Sequence, residues 1–344
     1  MEFNRETYRE YDAINYSKLS TLQKNPSDVV DDRDTWNDGM AFGSIVDILC
    51  FEPELFDKQF YVSSANREPS GTAKKLADWI LENVTGLKIG SLGSVISEEW
   101  QNQSWGLSDL LDKAEEAVGS STNFQKYGGL DYLKEQIESK NKHVVSQELV
   151  SKAKAARNTL LTHKFTKKYF TEQDNTYELK FQVPILWSLK HHGIDELGKC
   201  LLDIVLIDHE EKEVYPIDLK TTSRSALGFE SQVLKWSYYL QASYYYYAMK
   251  FVAEKDKSYT DYTVQPFKFI VLSQKDINRP YIYNTTKEEL VCGKDGGYIN
   301  RWDTEVRGWK QLIKDLQWHI KNNKWNYSRE VYENNGEVEL NIFG

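Results

Sequence analysis

The sequence predicts an α/β protein: a mixed central sheet flanked by helices, with an N-terminal helical extension. Three observations carry this reading. After Thr171 the apolar pattern changes from helical spacing to alternating or continuous runs. Three such runs follow one another at 177–183, 200–208 and 214–220, the last two separated by the charged turn 209–213. A long aromatic-rich helical stretch and one more strand then follow.

Taken in order, the first helix is expected to start at Asn15 or Ser17, turn Leu19 and Leu22 inward, and stop at Asn25-Pro26. A second runs from about 40 to 49 and is closed by Glu52-Pro53. Residues 67–129 are the least regular. Gly and Ser cluster at 90–94 and 119–121, while 73–83 and 107–118 read as short amphipathic helices, so the region reads as an insertion or lid with exposed loops. Leu149, Ala153, Ala156, Leu160 and Leu161 recur at helical spacing and predict one helix over 146–169. Beyond the three strands, a helix is expected over 229–254, a strand over 267–272 and a last helix over 299–321. The expected organisation is a helical region 1–170 with an insertion near 67–130, a core at 171–290, and a C-terminal helix and tail at 291–344. No internal repeat is visible.

Composition narrows the class. The 344 residues include 10 Trp, 22 Tyr and 14 Phe, ample bulk for a packed core, which argues against a disordered chain. With 28% charged residues and no apolar run near the roughly 18–20 residues a bilayer span needs, a membrane protein is not expected. The opening MEFNRETYREYD has neither a basic n-region nor an apolar h-region, so the expected location is the cytoplasm. Cys50, Cys200 and Cys292 are scattered and odd in number, against a disulfide framework or a zinc site, and read as free core thiols. The net charge of −9 opposes general nucleic-acid affinity but leaves a locally basic groove open. The six histidines form no HxxxH or HExxH pattern, and no phosphate-binding Gly-x-x-x-x-Gly-Lys-(Ser/Thr) occurs. Zinc chemistry and intrinsic ATP hydrolysis are therefore not expected.

The informative residues sit on the strands. Asp203 interrupts the most apolar run of the chain, and a buried carboxylate is costly unless a cation or hydrogen bonds stabilise it. Asp218 and Lys220 alternate onto one face of the next strand, with the Leu219 carbonyl between them as a backbone acceptor. Two carboxylates, one carbonyl and one ammonium can thus converge. All-oxygen ligation suits Mg²⁺ or Mn²⁺, and such a site supports metal-assisted phosphodiester hydrolysis, with the lysine orienting or deprotonating the water. The bland alternative is an Asp203 that caps a strand end and an Asp218–Lys220 surface pair.

Gly198-Lys199-Cys200-Leu201-Leu202-Asp203, Ile217-Asp218-Leu219-Lys220-Thr221-Thr222 and Gln241-Ala242-Ser243-Tyr244-Tyr245 together resemble the RecB-like branch of the PD-(D/E)XK nuclease superfamily. More narrowly, they resemble its RecE/exodeoxyribonuclease VIII-like phage group. Tyr16-Ser17-Lys18-Leu19 with Asn25-Pro26 is similar to that group's opening motif, and Phe42-Gly43-Ser44-Ile45-Val46-Asp47 to its Gly-(Ser/Thr)-x-x-His helix. The stretches 143–170 and 267–283 resemble its middle helix and later strand, so the likeness covers most of 8–285 but not 67–130 or the tail beyond 290. It implies a PD-(D/E)XK core and a Mg²⁺-dependent exonuclease. The implied reaction digests linear duplex DNA from 5′ ends, leaving a 3′ strand for an annealing protein in recombination. It also implies a homo-oligomeric ring.

The resemblance assigns Asp203, Asp218 and the Leu219 carbonyl to the metal, with Glu178 and Asp47 completing or supporting the shell and Lys220 placing the water. Asp47 departs from the family pattern, standing where a histidine is usual; from the residues alone it reads as an oddity of helix packing. Glu178 alternates onto a face with Lys180 and Gln182 that reads equally as solvated. Gln241 and Tyr245 share a helix face at i, i+4 and are expected to touch site groups or the DNA backbone. The aromatics around them read mainly as packing, with stacking on unpaired bases as the alternative. Ser17, Lys18, Thr221 and Arg224 are candidate DNA contacts, against simple N-capping for Ser17. The rival readings are an endonuclease or single-strand nuclease with the same site, and a catalytically silent DNA-binding recombination protein.

Overall fold

The computed structural model describes residues 3–31, 38–63, 128–139, 142–171, 176–299 and 304–338, with isolated positions at 71–81 and at 126. The readings for 90–94, 107–118 and 119–121 lie outside these residues. Within 73–83, the described positions Ala73, Lys74, Ala77, Asp78 and Leu81 are helical. The chain forms two compact units, Met1–Phe51 with Ala153–Gly344, and Glu52–Lys152. Divisions near 170 and 290 do not coincide with them.

In chain order the elements begin with α1 (Tyr16–Lys24), α2 (Asp38–Phe51), α3 (Phe56–Gln59), β1 (Phe60–Ser63), α4 (Gly129–Glu138), β2 (His143–Ser146) and α5 (Gln147–Thr162). The long strands β3 (Tyr177–Ser188), β4 (Leu197–Asp208) and β5 (Glu213–Thr222) follow. Next come α6 (Glu230–Lys235), α7 (Tyr238–Lys255), β6 (Thr263–Val264), β7 (Lys268–Ser273), β8 (Asp276–Asn284) and α8 (Lys287–Asp295). The hairpin β9 (Gly297–Ile299) and β10 (Thr304–Val306), then α9 (Trp309–Asn322) and α10 (Arg329–Glu333), close the described chain. In the Glu52–Lys152 unit, β1 and β2 pair in parallel, and Tyr61 and Ser63 each donate at 2.6 Å to Glu138 and Glu135 of α4.

The large unit is built on a mixed sheet of order β3-β4-β5-β7-β8, with β6 beside β5. β4 runs antiparallel to both of its neighbours, β3 and β5; β5 and β7 are parallel, and β7 and β8 antiparallel. β4 is apolar nearly throughout because both of its faces are covered. On one face lie Leu202, Phe267 and Phe269, packed with Tyr244 and Ala248 of α7 and with Trp309 and Leu312 of α9. On the other face lies α2: a Cβ added at its Gly43 would stand 2.8 Å from Thr221 Oγ1, and its Phe51 ring lies 5.6 Å from Phe181. Glycine at 43 is what allows this helix to lie so close to β5.

Several elements differ from the sequence expectation for local reasons. The helix expected over 229–254 is broken at Ser237, whose φ of +57° is left-handed, into α6 and α7. The helix expected over 299–321 starts only at Trp309, because Gly297 (φ +138°) leads into the β9–β10 hairpin. That expected over 146–169 ends at Thr162, with a separate 3₁₀ turn at Lys167–Tyr169. Asn15 is the cap of α1, its side chain accepting the Lys18 N–H at 2.8 Å. Among the described residues no helix is long and apolar enough to cross a membrane.

Candidate active site

β4 and β5 pair from Asp208↔Glu213 to Ile204↔Ile217, and there the ladder ends. On its other edge β5 pairs with β7 from Ile217 to Thr222, so it runs on past the end of the β4 ladder. Asp203 and Asp218, the next residues on either strand, therefore flank the point where the two strands part. Asp203 bridges the gap: its Oδ2 accepts the Leu219 N–H at 2.9 Å, and its Oδ1 accepts Gln182 Nε2 at 3.3 Å. A strand residue's N–H and C=O face the same edge, so the Leu219 carbonyl opens toward the same gap.

Asp218 is 3% exposed and is held from two sides. Gln241 Nε2 of α7 donates to its Oδ1 at 2.6 Å, and the Lys220 ammonium lies 2.6 Å from its Oδ2. Alternation along β5 places 218 and 220 on one face, as the sequence implied. Lys220 also lies 5.0 Å from the centre of the Tyr238 ring. Burial, the largest single influence, would lower the Lys220 pKa, but the charges of Asp218, Tyr238 and Asp203 and the hydrogen bond to Asp218 together outweigh it and the group is raised, so it stays an ammonium.

Asp47 lies one helical turn beyond Gly43 on α2 and is half-buried. Burial, then the charge of Asp218, pushes its carboxyl up to about 7 against the opposing pull of Lys220. Asp203 is raised well above the usual carboxylate range by burial, then by Asp218 and Asp47. Three carboxylates thus share one ammonium. Burial raises the Tyr245 phenol too; its ring meets Tyr16 edge-on at 6.4 Å, and Tyr16 in turn feels Lys220 and Asp218.

The structure brings Asp47, Asp203, Asp218, Lys220, Gln241 and Tyr245 together, with the Leu219 backbone. Glu178 is not with them. It pairs with Ile207 on β4, four rows from Asp203, or about 13 Å along the strand at ~3.3 Å per residue. It is half-buried there, 3.3 Å from Lys180 and 3.4 Å from His209, so the solvated-face reading describes it better than a place at the site. Ser17 is exposed in the first turn of α1 and Lys18 is half-buried there. Thr221 lies beside Gly43, and Arg224 is exposed just past β5.

Gln182 was not singled out as a site residue by sequence. Its φ of +48°, uncommon for a residue with a side chain, accompanies the contact with Asp203. Tyr16 and Tyr238, read only as a motif member and a packing aromatic, line the lysine side of the site.

The donor set is all hard oxygen, and it holds more carboxylates than cations. Gln241 Oε1 is buried with no hydrogen-bond partner, an acceptor left over beside Asp218. Both features fit a divalent cation of the Mg²⁺ or Mn²⁺ type. Among the described residues, no three acidic, histidine or cysteine side chains stand already closed into a ligand cluster. Lys220 instead supplies the positive charge next to Asp218.

No family model matches the chain, and no curated protein matches it. Among solved structures, a provisionally named exonuclease from Eubacterium rectale is similar at 12% identity and a TM-score of 0.34, with 85% of this chain and 95% of that chain covered. The functional reading therefore stands on the geometry of the site.

Proposed function

We propose that this chain is a divalent-metal-dependent deoxyribonuclease that hydrolyses DNA phosphodiester bonds as an exonuclease. The observation that carries this is the meeting of Asp203, Asp218 and Lys220 where β4 and β5 part, with Asp47 alongside. In this reading Asp203, Asp218 and the Leu219 carbonyl hold Mg²⁺ or Mn²⁺, and Asp47 supports them as the hard-oxygen counterpart of the family histidine. The ion, when bound, would lower the pKa of a water and neutralise charge on the scissile phosphate.

The chain's own groups do the rest. Gln241 fixes the Asp218 carboxylate through Oδ1, which leaves Oδ2 toward Lys220. Lys220, kept protonated, orients the attacking water and draws the phosphate oxygen inward as a fixed positive charge. The motif resemblance supports 5′-to-3′ digestion of linear duplex, a 3′ strand handed to an annealing protein, and a homo-oligomeric ring; these belong to the same proposal.

The test is Mg²⁺-dependent nucleotide release from linear and covalently closed circular duplex by the wild type, Asp218→Ala and Lys220→Ala. Release from the linear DNA alone, reduced about 10³-fold in both variants, is expected. Equal release by all three proteins discards the proposal, and cutting of the circle replaces an exonuclease with an endonuclease.

A further inference from the structure

The helix beside the site is crowded with aromatics, and the structure separates those that pack from the one that does not. Tyr239, Tyr244 and Tyr245 are buried, whereas Trp236 is 43% exposed. Its position is fixed by the break between α6 and α7. Ser237, left-handed and buried, donates through Oγ to Gln23 Oε1 at 3.3 Å, and Tyr16 Oη donates to the Trp236 carbonyl at 2.8 Å. The backbone is thus pinned to α1 while the indole faces solvent.

Two ammonium groups attend that indole. Lys24 lies 4.9 Å and Lys235 5.1 Å from the ring centre, one from the end of α1 and one from the end of α6. The site is close by: Tyr16, which holds the Trp236 carbonyl, feels Lys220, and Tyr238, two residues on, covers Lys220.

We propose that Trp236 is a stacking platform for an unpaired base of the DNA strand entering the site, with Lys24 and Lys235 receiving the flanking phosphates. This rests on the nuclease reading of the adjoining carboxylates. An exposed π face stacks on any base, and paired cations track a phosphate backbone without reading sequence. Each lysine reaches the ring on a flexible stem, so a phosphate offers it a full charge and leaves a ring face for the base.

The test uses a short oligodeoxythymidylate carrying one terminal 2-aminopurine, bound to the full chain in EDTA so that no hydrolysis intervenes. The wild type is expected to quench the probe. Trp236→Leu, which keeps apolar bulk without a π face, is expected to bind about tenfold more weakly and to lose the quench, while Trp236→Phe stays within about twofold. Lys24→Ala with Lys235→Ala is expected to flatten the log–log salt slope by about 1.4, at ~0.7 per phosphate contact on single strands. A Trp236→Leu variant that binds and quenches as the wild type does, or a wild type that binds no probe, overturns the platform. Nucleotide release in Mg²⁺, read in parallel, separates the two ideas. Release with unchanged Trp236→Leu binding sinks the platform alone; Trp236-dependent quenching with no release by the wild type sinks the catalytic reading alone.

Discussion

The Leu219 amide donates to Asp203 Oδ2 at 2.9 Å, in the place where the next rung between β4 and β5 would fall. A side chain has replaced a backbone rung, which seats a carboxylate inside the sheet beside two other acids.

That arrangement sets function against stability. Asparagine at 203 keeps an oxygen for the Leu219 N–H but removes a charge that burial, Asp218 and Asp47 all disfavour. Metal-free Asp203→Asn is expected to be more stable than the wild type by about 1 kcal/mol, with nucleotide release lost. Thermal melts in EDTA check this; a lower melting temperature contradicts it.

The pH dependence of the metal-free protein follows from Asp47 and Asp203. A carboxyl whose folded pKa is raised holds its proton more tightly when folded. Its contribution to stability is complete below the ordinary value of 3.8 and is lost as pH rises through about 7 for Asp47. Melting temperature in EDTA is therefore expected to fall between pH 5.5 and pH 8, and Asp47→Asn to fall less steeply. A melting temperature that climbs over this window runs against the placement of these acids.

Gly43 carries a packing role that the motif resemblance marked without giving its reason. Alanine there gains about 1 kcal/mol of helix propensity, yet its Cβ would stand 2.8 Å from Thr221 Oγ1. Gly43→Ala is expected to lower the melting temperature, and adding Thr221→Ala to restore part of the loss. A double-mutant cycle reads the coupling. Additive effects would mean that α2 does not bear on Thr221.

The central strands were legible because their signals are local. An acid inside an apolar run marks Asp203, and period-two alternation puts Asp218 and Lys220 on one face. Gln241 was reachable from the i, i+4 spacing with Tyr245. What the sequence hid depends on backbone geometry that residue types do not announce. Ser237 and Gln182 adopt positive φ without being glycine, so the break between α6 and α7 and the Gln182 contact with Asp203 left no trace in the pattern. Glu178 was placed by resemblance and by counting alternation, but distance along a strand separates it from Asp203 whichever face it shares. The two- and three-residue strands β6, β9 and β10 are too short to show a period at all.

The central claim is that Asp203 and Asp218 hold one divalent ion between them. Calorimetric titration of Mn²⁺ into the wild type, Asp203→Asn, Asp218→Asn and Glu178→Gln tests it most directly. The expected result is a binding site present in the wild type and in Glu178→Gln and lost from both aspartate variants. Mn²⁺ binding that survives unchanged in Asp203→Asn and Asp218→Asn, or that is absent from the wild type, contradicts the claim.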